Sequence, residues 1–360
     1  MTLLIYLLLI SNLSILIVSH FNSIFVRGMD TNNPNELDPI EIIKRRINNF
    51  IEFEASSNAA DDSVHNITLV ENGYISETNL WIVWKGLHQK NQIIAAKIYA
   101  NIDNYKIYEN EIYWLKELGA QDPEIESRGI LRVFHSGVFL IYHRVIATTM
   151  FEKTLEDLWK ERKQQNKKIS ELSILLIFKR GVEILKYFNE KRVLHNDIKP
   201  SNILLHGQKV FISGFDYAAS YTGRIVKDGT PEFASSNWYC GRERSAFDDL
   251  ESLVFSLWHV AGIPRDKEFF SQSDIPEGKT LYKCLKKDDG RVGERAIKKM
   301  EEKSNKFNNP NVREAMKLIC SIEMLNRTKE LDHKKIIGIL ESAINQIHGN
   351  SGTSPQFEWL

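Results

Sequence analysis

The sequence predicts an α+β chain of two lobes, a small mostly-β lobe carrying one helix and then a larger mostly-α lobe. Three observations carry that expectation. Residues 67–100, "ITLVENGYISETNLWIVWKGLHQKNQIIAAKIYA", alternate β-branched and aromatic residues between turn signals, as the strands of a meander do. The next stretch, "YKIYENEIYWLKELGA", sets Ile107, Ile112, Leu115 and Leu118 on a helical period and stops at Gly119, before strand-like "GILRVFHSG" and "FLIYHRVIATTM". From "LEDLWKERK" onward the pattern turns helical, through "ELSILLIFKRGVEILKYFNEK", "DDLESLVFSLWHVAG", "NVREAMKLICSIEML" and "KKIIGILESAINQI".

With 360 residues, 42% hydrophobic and 26% charged, the chain is long enough for two lobes around a large core. Lys plus Arg equal Asp plus Glu at 47 each, so no overall field draws it to nucleic acid or to an anionic surface. The cysteines, Cys240, Cys284 and Cys320, are widely spaced with no C-x-x-C pair, which gives neither a disulfide framework nor a zinc site and suits a reducing compartment. Asn66 and Asn326 open formal glycosylation triplets, which recur by chance and carry little weight.

Residues 1–28 contain no Lys, Arg, Asp or Glu before Arg27. Their apolar run from Leu3 to Val18 has the length of a signal-peptide core, and residues 3–26 would span a membrane if tilted. Three expectations stay open: a secreted chain with a cleaved leader; a retained anchor, whose flanking Arg27, Lys44, Arg45 and Arg46 would keep the lobes cytosolic; or a cytoplasmic chain starting at Met29. Residues 29–65 read as a polar tether holding one helix-like segment, "DPIEIIKRRINNFIEF". The lobes then take residues 66–151 and 152–345, and residues 346–360 read as a flexible tail.

Phosphoryl transfer needs a base for the hydroxyl, cations on the phosphates and ligands for magnesium. "HNDIKPSN", residues 195–202, sets Asp197, Lys199 and Asn202 at D-x-K-x-x-N spacing between an apolar helix and strand-like "ILL". In this the sequence resembles the eukaryotic protein kinases of the serine/threonine class. The resemblance implies a bilobal protein kinase fold, ATP and Mg2+ as cofactors, and a protein substrate or partner. It implies that Asp197 accepts the substrate proton, Lys199 steadies the transferred phosphoryl group and Asn202 binds magnesium. Lys97 of "AAKIY" resembles the lysine on the α- and β-phosphates, and Glu109 the helix glutamate paired with it, with Glu111 as competitor.

"GTPEFASSN" followed by "DDLESL" is similar to the casein-kinase-one group, including the vaccinia-related kinases, and the resemblance covers residues 67–345. It implies that Thr230 contacts the catalytic loop and that Asp249 holds that loop's backbone. It also implies that His195 supports the loop and, with Asn196 in place of arginine, that no switch reads activation-loop phosphorylation.

The phosphate side departs from the pattern. The glycine positions of the phosphate loop fall on Ser76, Thr78 and Trp81, with Gly73 the nearest glycine, and Trp81 would crowd the phosphate path. Aligning Phe215 with the phenylalanine of D-F-G puts Gly214 where the magnesium aspartate belongs; a second register keeps Asp216 as the ligand at the expense of one extra strand residue. Losing such a charge typically costs ~3 to 4 kcal/mol of transition-state stabilisation, a few hundred-fold in rate. The expectation is a catalytically impaired kinase fold that acts through binding, with an active serine/threonine kinase using Asp197 as the alternative.

Overall fold

The computed structural model describes residues 40–41, 43–45, 47–48, 67–89, 92–99, 105–139, 143–221, 229–235, 237–238, 243–263, 302–325, 330–349 and 355–357. The uncharged stretch 3–26, most of the tether, Asn66, Asn326, Cys240 and Cys284 lie outside them. Among the described residues, no helix is long and apolar enough to cross a membrane.

The small lobe is an antiparallel sheet of β1 (Ile67–Glu77), β2 (Trp81–His88), β3 (Gln92–Tyr99), β4 (Val133–Phe139) and β5 (His143–Thr149), in the order β1-β2-β3-β5-β4. Side chains alternate across its faces as the pleat requires. Ile82, Trp84, Ile94, Ala96, Ile98, Val145 and Ala147 form the core of one face, while Val83, Ala95 and Ile146 lie among the residues of the other. Lys97 is paired in register with Val83 and Ile146, so its side chain joins that second, site-forming face.

A sheet apolar on both faces needs two covers. The helix α2 (Tyr105–Glu117) lies on the site side, burying Tyr108, Ile112 and Leu115. The other face is covered by helical residues within 40–48, labelled α1, whose Ile40, Ile43 and Ile47 are 2%, 0% and 0% exposed. Lys44 Nζ pairs with Glu77 at 2.6 Å and lies over the Tyr74 ring. Of the stretch 29–65 read as a tether, the described helical residues within 40–48 thus pack on the small lobe, because an isoleucine stripe at helical spacing buries more apolar area on the sheet than it can in water.

The large lobe is built on α4 (Glu171–Glu190), N-capped by Ser170, and on α5 (Ala246–Val260). They are packed with α3 (Leu155–Gln164), α6 (Pro310–Leu325) and α7 (His333–His348) around a core that includes Phe178, Val182, Leu250, Leu257 and Trp258. α5 is buried almost all round, including its acidic residues Asp248, Asp249 and Glu251. Short strands frame the loop between α4 and β8: β7 (Val193–Leu194) pairs with β10 (Ala219–Ser220), and β8 (Ile203–His206) lies between β6 (Lys153–Thr154) and β9 (Lys209–Ile212).

The tail is also partly fixed. α7 continues to His348, and the Phe357 amide donates to Gln208 Oε1 at 2.8 Å while its ring packs on the main core. Residues 346–360 are therefore not a flexible tail throughout, since an aromatic anchor returns the chain to the large lobe.

The cover on the sheet is testable by truncation of its side chains. Ile43→Ala and Ile47→Ala are each expected to lower stability by about 2–5 kcal/mol, whereas Lys44→Ala, at a half-exposed pair, should cost about 1 kcal/mol or less. Chemical denaturation of the full chain separates the two classes.

Candidate active site

The residues of "HNDIKPSN" form a loop hung from the buried helix α5. Asp249 accepts from the His195 amide at 2.7 Å and from the Asn196 amide at 2.9 Å. Burial pushes its carboxyl up to about 6, against those two hydrogen bonds that favour the charged form. His195 is buried between Phe188 and Phe215. Its Nδ1 accepts from the Asp197 amide at 3.2 Å, and its Nε2 faces the Ser213 carbonyl at 3.0 Å. That fixes a neutral ring with its proton on Nε2, and burial holds its pKa down to about 4.

The loop presents Asp197 to a set of donors. Asp197 Oδ1 accepts from the Thr230 amide at 2.8 Å, and Oδ2 lies 2.7 Å from Lys199 Nζ and 3.2 Å from Asn202 Nδ2. Lys199 also donates to Thr230 Oγ1 at 2.8 Å, and Asn202 Nδ2 donates to the Asp197 carbonyl at 2.8 Å. Asp197, Lys199, Asn202 and Thr230 thus form one hydrogen-bonded group. Gly229, at φ +108°, permits it: a Cβ there would lie 2.5 Å from the Asn196 carbonyl.

Lys97 projects from β3 into a second charged group. Its Nζ donates to Glu111 Oε2 at 2.5 Å and to Asp216 Oδ1 and Oδ2 at 2.9 and 3.1 Å. The rings of Trp81 and Tyr99 lie 4.7 and 5.1 Å from the same nitrogen, and the Tyr99 hydroxyl donates to Glu111 Oε2. Burial would lower the lysine, but the Asp216 and Glu111 carboxylates outweigh it and raise it. Burial and the neighbouring Asp216 raise Glu111 to about 7. Burial would also raise Asp216, but the Lys97 ammonium overrides it and holds that carboxyl below its ordinary value.

The lysine's helix partner is thus Glu111, which corrects the assignment to Glu109. Glu111 sits within the stripe of Tyr108, Ile112 and Leu115 that α2 buries, whereas Glu109 is exposed and bonds Tyr105. Taking Ile112 and Tyr113 as the inward neighbours puts Glu109 on the inner edge, but Tyr113 is 52% exposed and the buried face runs through Tyr108, Ile112 and Leu115, in phase with Glu111.

Of the two registers at residues 214–217, the structure takes the one with Phe215 buried against His195 and Gly214 at the preceding position. Gly214 has φ +83°, and a Cβ on it would lie 2.8 Å from the Asn202 side chain, so no carboxylate can occupy that position without displacing Asn202. Asp216, expected as a magnesium ligand, spends its carboxylate on Lys97 instead.

Three residues that sequence reasoning missed hold this arrangement. Asn110 Nδ2 lies 3.3, 3.0 and 3.0 Å from the carbonyls of Phe215, Asp216 and Ala218, tying α2 to the turn. Arg244 Nη1 donates to Asn196 Oδ1 at 3.1 Å, and Asn196 Nδ2 donates to the Tyr217 carbonyl at 3.0 Å. Tyr99 buttresses Glu111. The only sequence signals were an asparagine within a helical stretch and, at position 196, a residue type that tolerates the left-handed conformation it adopts, φ +64°.

Between the lobes lies a slot of about 90 Å³, whose apolar walls include Val83, Ala95, Ile146, Phe151, Leu204 and Ile212, with Lys97 and Asn202 at its inner end. Ligand pockets are usually ~300 Å³ or more. The loop that would cover phosphates is a tight turn, closed by the Thr78 amide donating to the Trp81 carbonyl at 2.9 Å. Magnesium triphosphate does not fit these residues as they stand: Lys97 has no donor left, Gly214 offers no ligand, and no glycine stands at Ser76, Thr78 or Trp81.

A five-stranded lobe with one helix on its site face, a helical lobe, and the Asp197–Asn202 loop between them define a protein kinase fold. Residues 80–252 match the family model of the protein kinase domain. The chain is also similar to a solved structure of vaccinia related kinase 3, at a TM-score of 0.55 and 16% sequence identity, over 84% of this chain and 96% of that one. At such identity the likeness establishes the fold.

Two measurements check the loop's supports. Asp249→Ala would leave two buried amides unpaired and is expected to lower stability by roughly 3 kcal/mol or more, read from denaturant midpoints. His195 titrates near 6.5 when unfolded and near 4 when folded, so its contribution to stability is complete above the first value and declines as pH falls toward the second. His195→Gln, with no proton to take up, should show a shallower loss of stability across that window.

Proposed function

We propose that this chain is a protein kinase fold of the casein-kinase-one type, impaired in phosphoryl transfer, that acts by binding a protein. The observation that carries the reading is the state of Lys97. Its three N–H donors are spent on Glu111 and Asp216, while Gly214 holds the position of the missing metal ligand. Electrostatic stabilisation of the developing charge is the main thing a kinase site supplies. Here the cation is already neutralised and the metal position carries no charge.

A second reading is favoured by the intact group on the hydroxyl side. Asp197, Lys199 and Thr230 stand within hydrogen-bonding distance of one another, as a base and its supports would. Under that reading the chain is an ATP-dependent serine/threonine kinase with Asp197 as base.

Labelled-phosphate transfer from ATP, with magnesium or manganese, to the full chain itself and to casein decides between them. Equal background in the unmodified protein and in Asp197→Asn is expected. Transfer abolished by Asp197→Asn would establish the active kinase instead.

A further inference from the structure

We propose that Asp216 is a built-in competitor for phosphate, a carboxylate that occupies Lys97 and bars metal-free polyphosphate from the slot. This rests on the reading of impaired transfer and goes beyond it by naming the residue that closes the site and the ligand chemistry it selects against.

An ammonium has three donors. In Lys97 one goes to Glu111, and the Asp216 carboxylate lies within 2.9 and 3.1 Å with both oxygens. Two aromatic rings cover further directions of approach. The positive charge is therefore already matched by the Asp216 carboxylate, with the Glu111 carboxyl beside it, before any ligand arrives. A polyphosphate would add several negative charges to that buried group, with Gly214 supplying no ligand for a metal to offset them.

Asp216 is aimed, not merely near. Its own carbonyl and those of Phe215 and Ala218 are held by Asn110 from α2. The Phe215 ring is locked against His195 and Phe188, and the left-handed Gly214 turns the chain so that the residue after Phe215 faces β3. The two nearest protein carboxylates are thus on separate elements: Glu111 belongs to the helix and Asp216 to the turn.

The slot is lined mostly by apolar side chains, among them Val83, Ala95, Ile146 and Leu204, with Lys97 and Glu111 as its charged members. An uncharged planar ring meets the walls and leaves the ion group intact, whereas a triphosphate must displace Asp216. The site therefore discriminates by charge.

The test compares the full-length protein with Asp216→Ala and Asp216→Asn, titrated with metal-free ATP and with adenosine by calorimetry. Melting curves would verify folding, with the near-isosteric Asn variant as the safeguard should the Ala variant fail to fold. Metal-free ATP is expected to bind both variants about tenfold tighter or more, while adenosine, which carries no phosphate, should show no difference among the three proteins. Equal or weaker ATP binding by the variants would overturn the proposal. So would magnesium-dependent binding present in the wild type and lost in the variants, which would make Asp216 a metal ligand. Because the readout is affinity, phosphate transfer by the wild type would refute the impaired reading without deciding this one.

Discussion

The ammonium of Lys97 is the point on which the arrangement of the two lobes depends. It stands on the central strand β3, meets Glu111 from the helix α2 and Asp216 from the turn after β9, and so ties sheet, helix and large lobe in one buried group. Such a group is costly to desolvate and is stable only when every charge has its partners. Removing one carboxylate leaves a stable pair, but removing the lysine would leave two carboxylates facing each other. The position of α2 is thereby fixed twice, through Glu111 and through the carbonyls that Asn110 holds.

A second buried charge does comparable work in the large lobe. Asp249 sits on a helix with almost no exposed surface and receives two backbone amides of the loop that carries Asp197. Asn196 takes the left-handed conformation between those amides and the Asp197 side chain, and Arg244 secures it. The loop thus meets two cations, Lys199 on the Asp197 carboxylate and the buried Arg244 on the Asn196 amide oxygen. The turn after Phe215 is joined to the loop through the Asn196 side-chain amide, which donates to the Tyr217 carbonyl.

Much of this was legible in the sequence, for identifiable reasons. The order of strands and helices follows from period-2 and period-3.6 patterns, which burial enforces. The Asp197 loop was legible because its residues act within a few positions of one another. Glu111 was misread because Tyr113 counted as an inward residue when the helical phase was set, whereas it faces solvent and the buried stripe runs through Tyr108 and Leu115. Asp216 on Lys97 could not be read at all, since it is a contact across 119 residues whose geometry is set by a left-handed glycine and a buried phenylalanine. The cover over the sheet was half legible: its isoleucine spacing was plain, but the face it meets is defined only once the strands are in register.

An intact motif is weaker evidence of catalysis than it looks when its members satisfy one another. Asp197 is buried, and Lys199, Asn202 and the Thr230 amide are the groups that make its burial tolerable. Lys199 in turn needs Asp197 and the Thr230 hydroxyl. Replacing any one of them would strand a buried polar partner, at about 1–3 kcal/mol or more. The fold can therefore retain the hydroxyl side for stability alone. The phosphate side has no such constraint: glycine at position 214 and tryptophan at position 81 strand nothing, because Lys97 finds Asp216 and Glu111 within the chain. This asymmetry, one half of a site complete and the other bonded onto itself, is the physical basis of the proposal that the fold is kept without transfer.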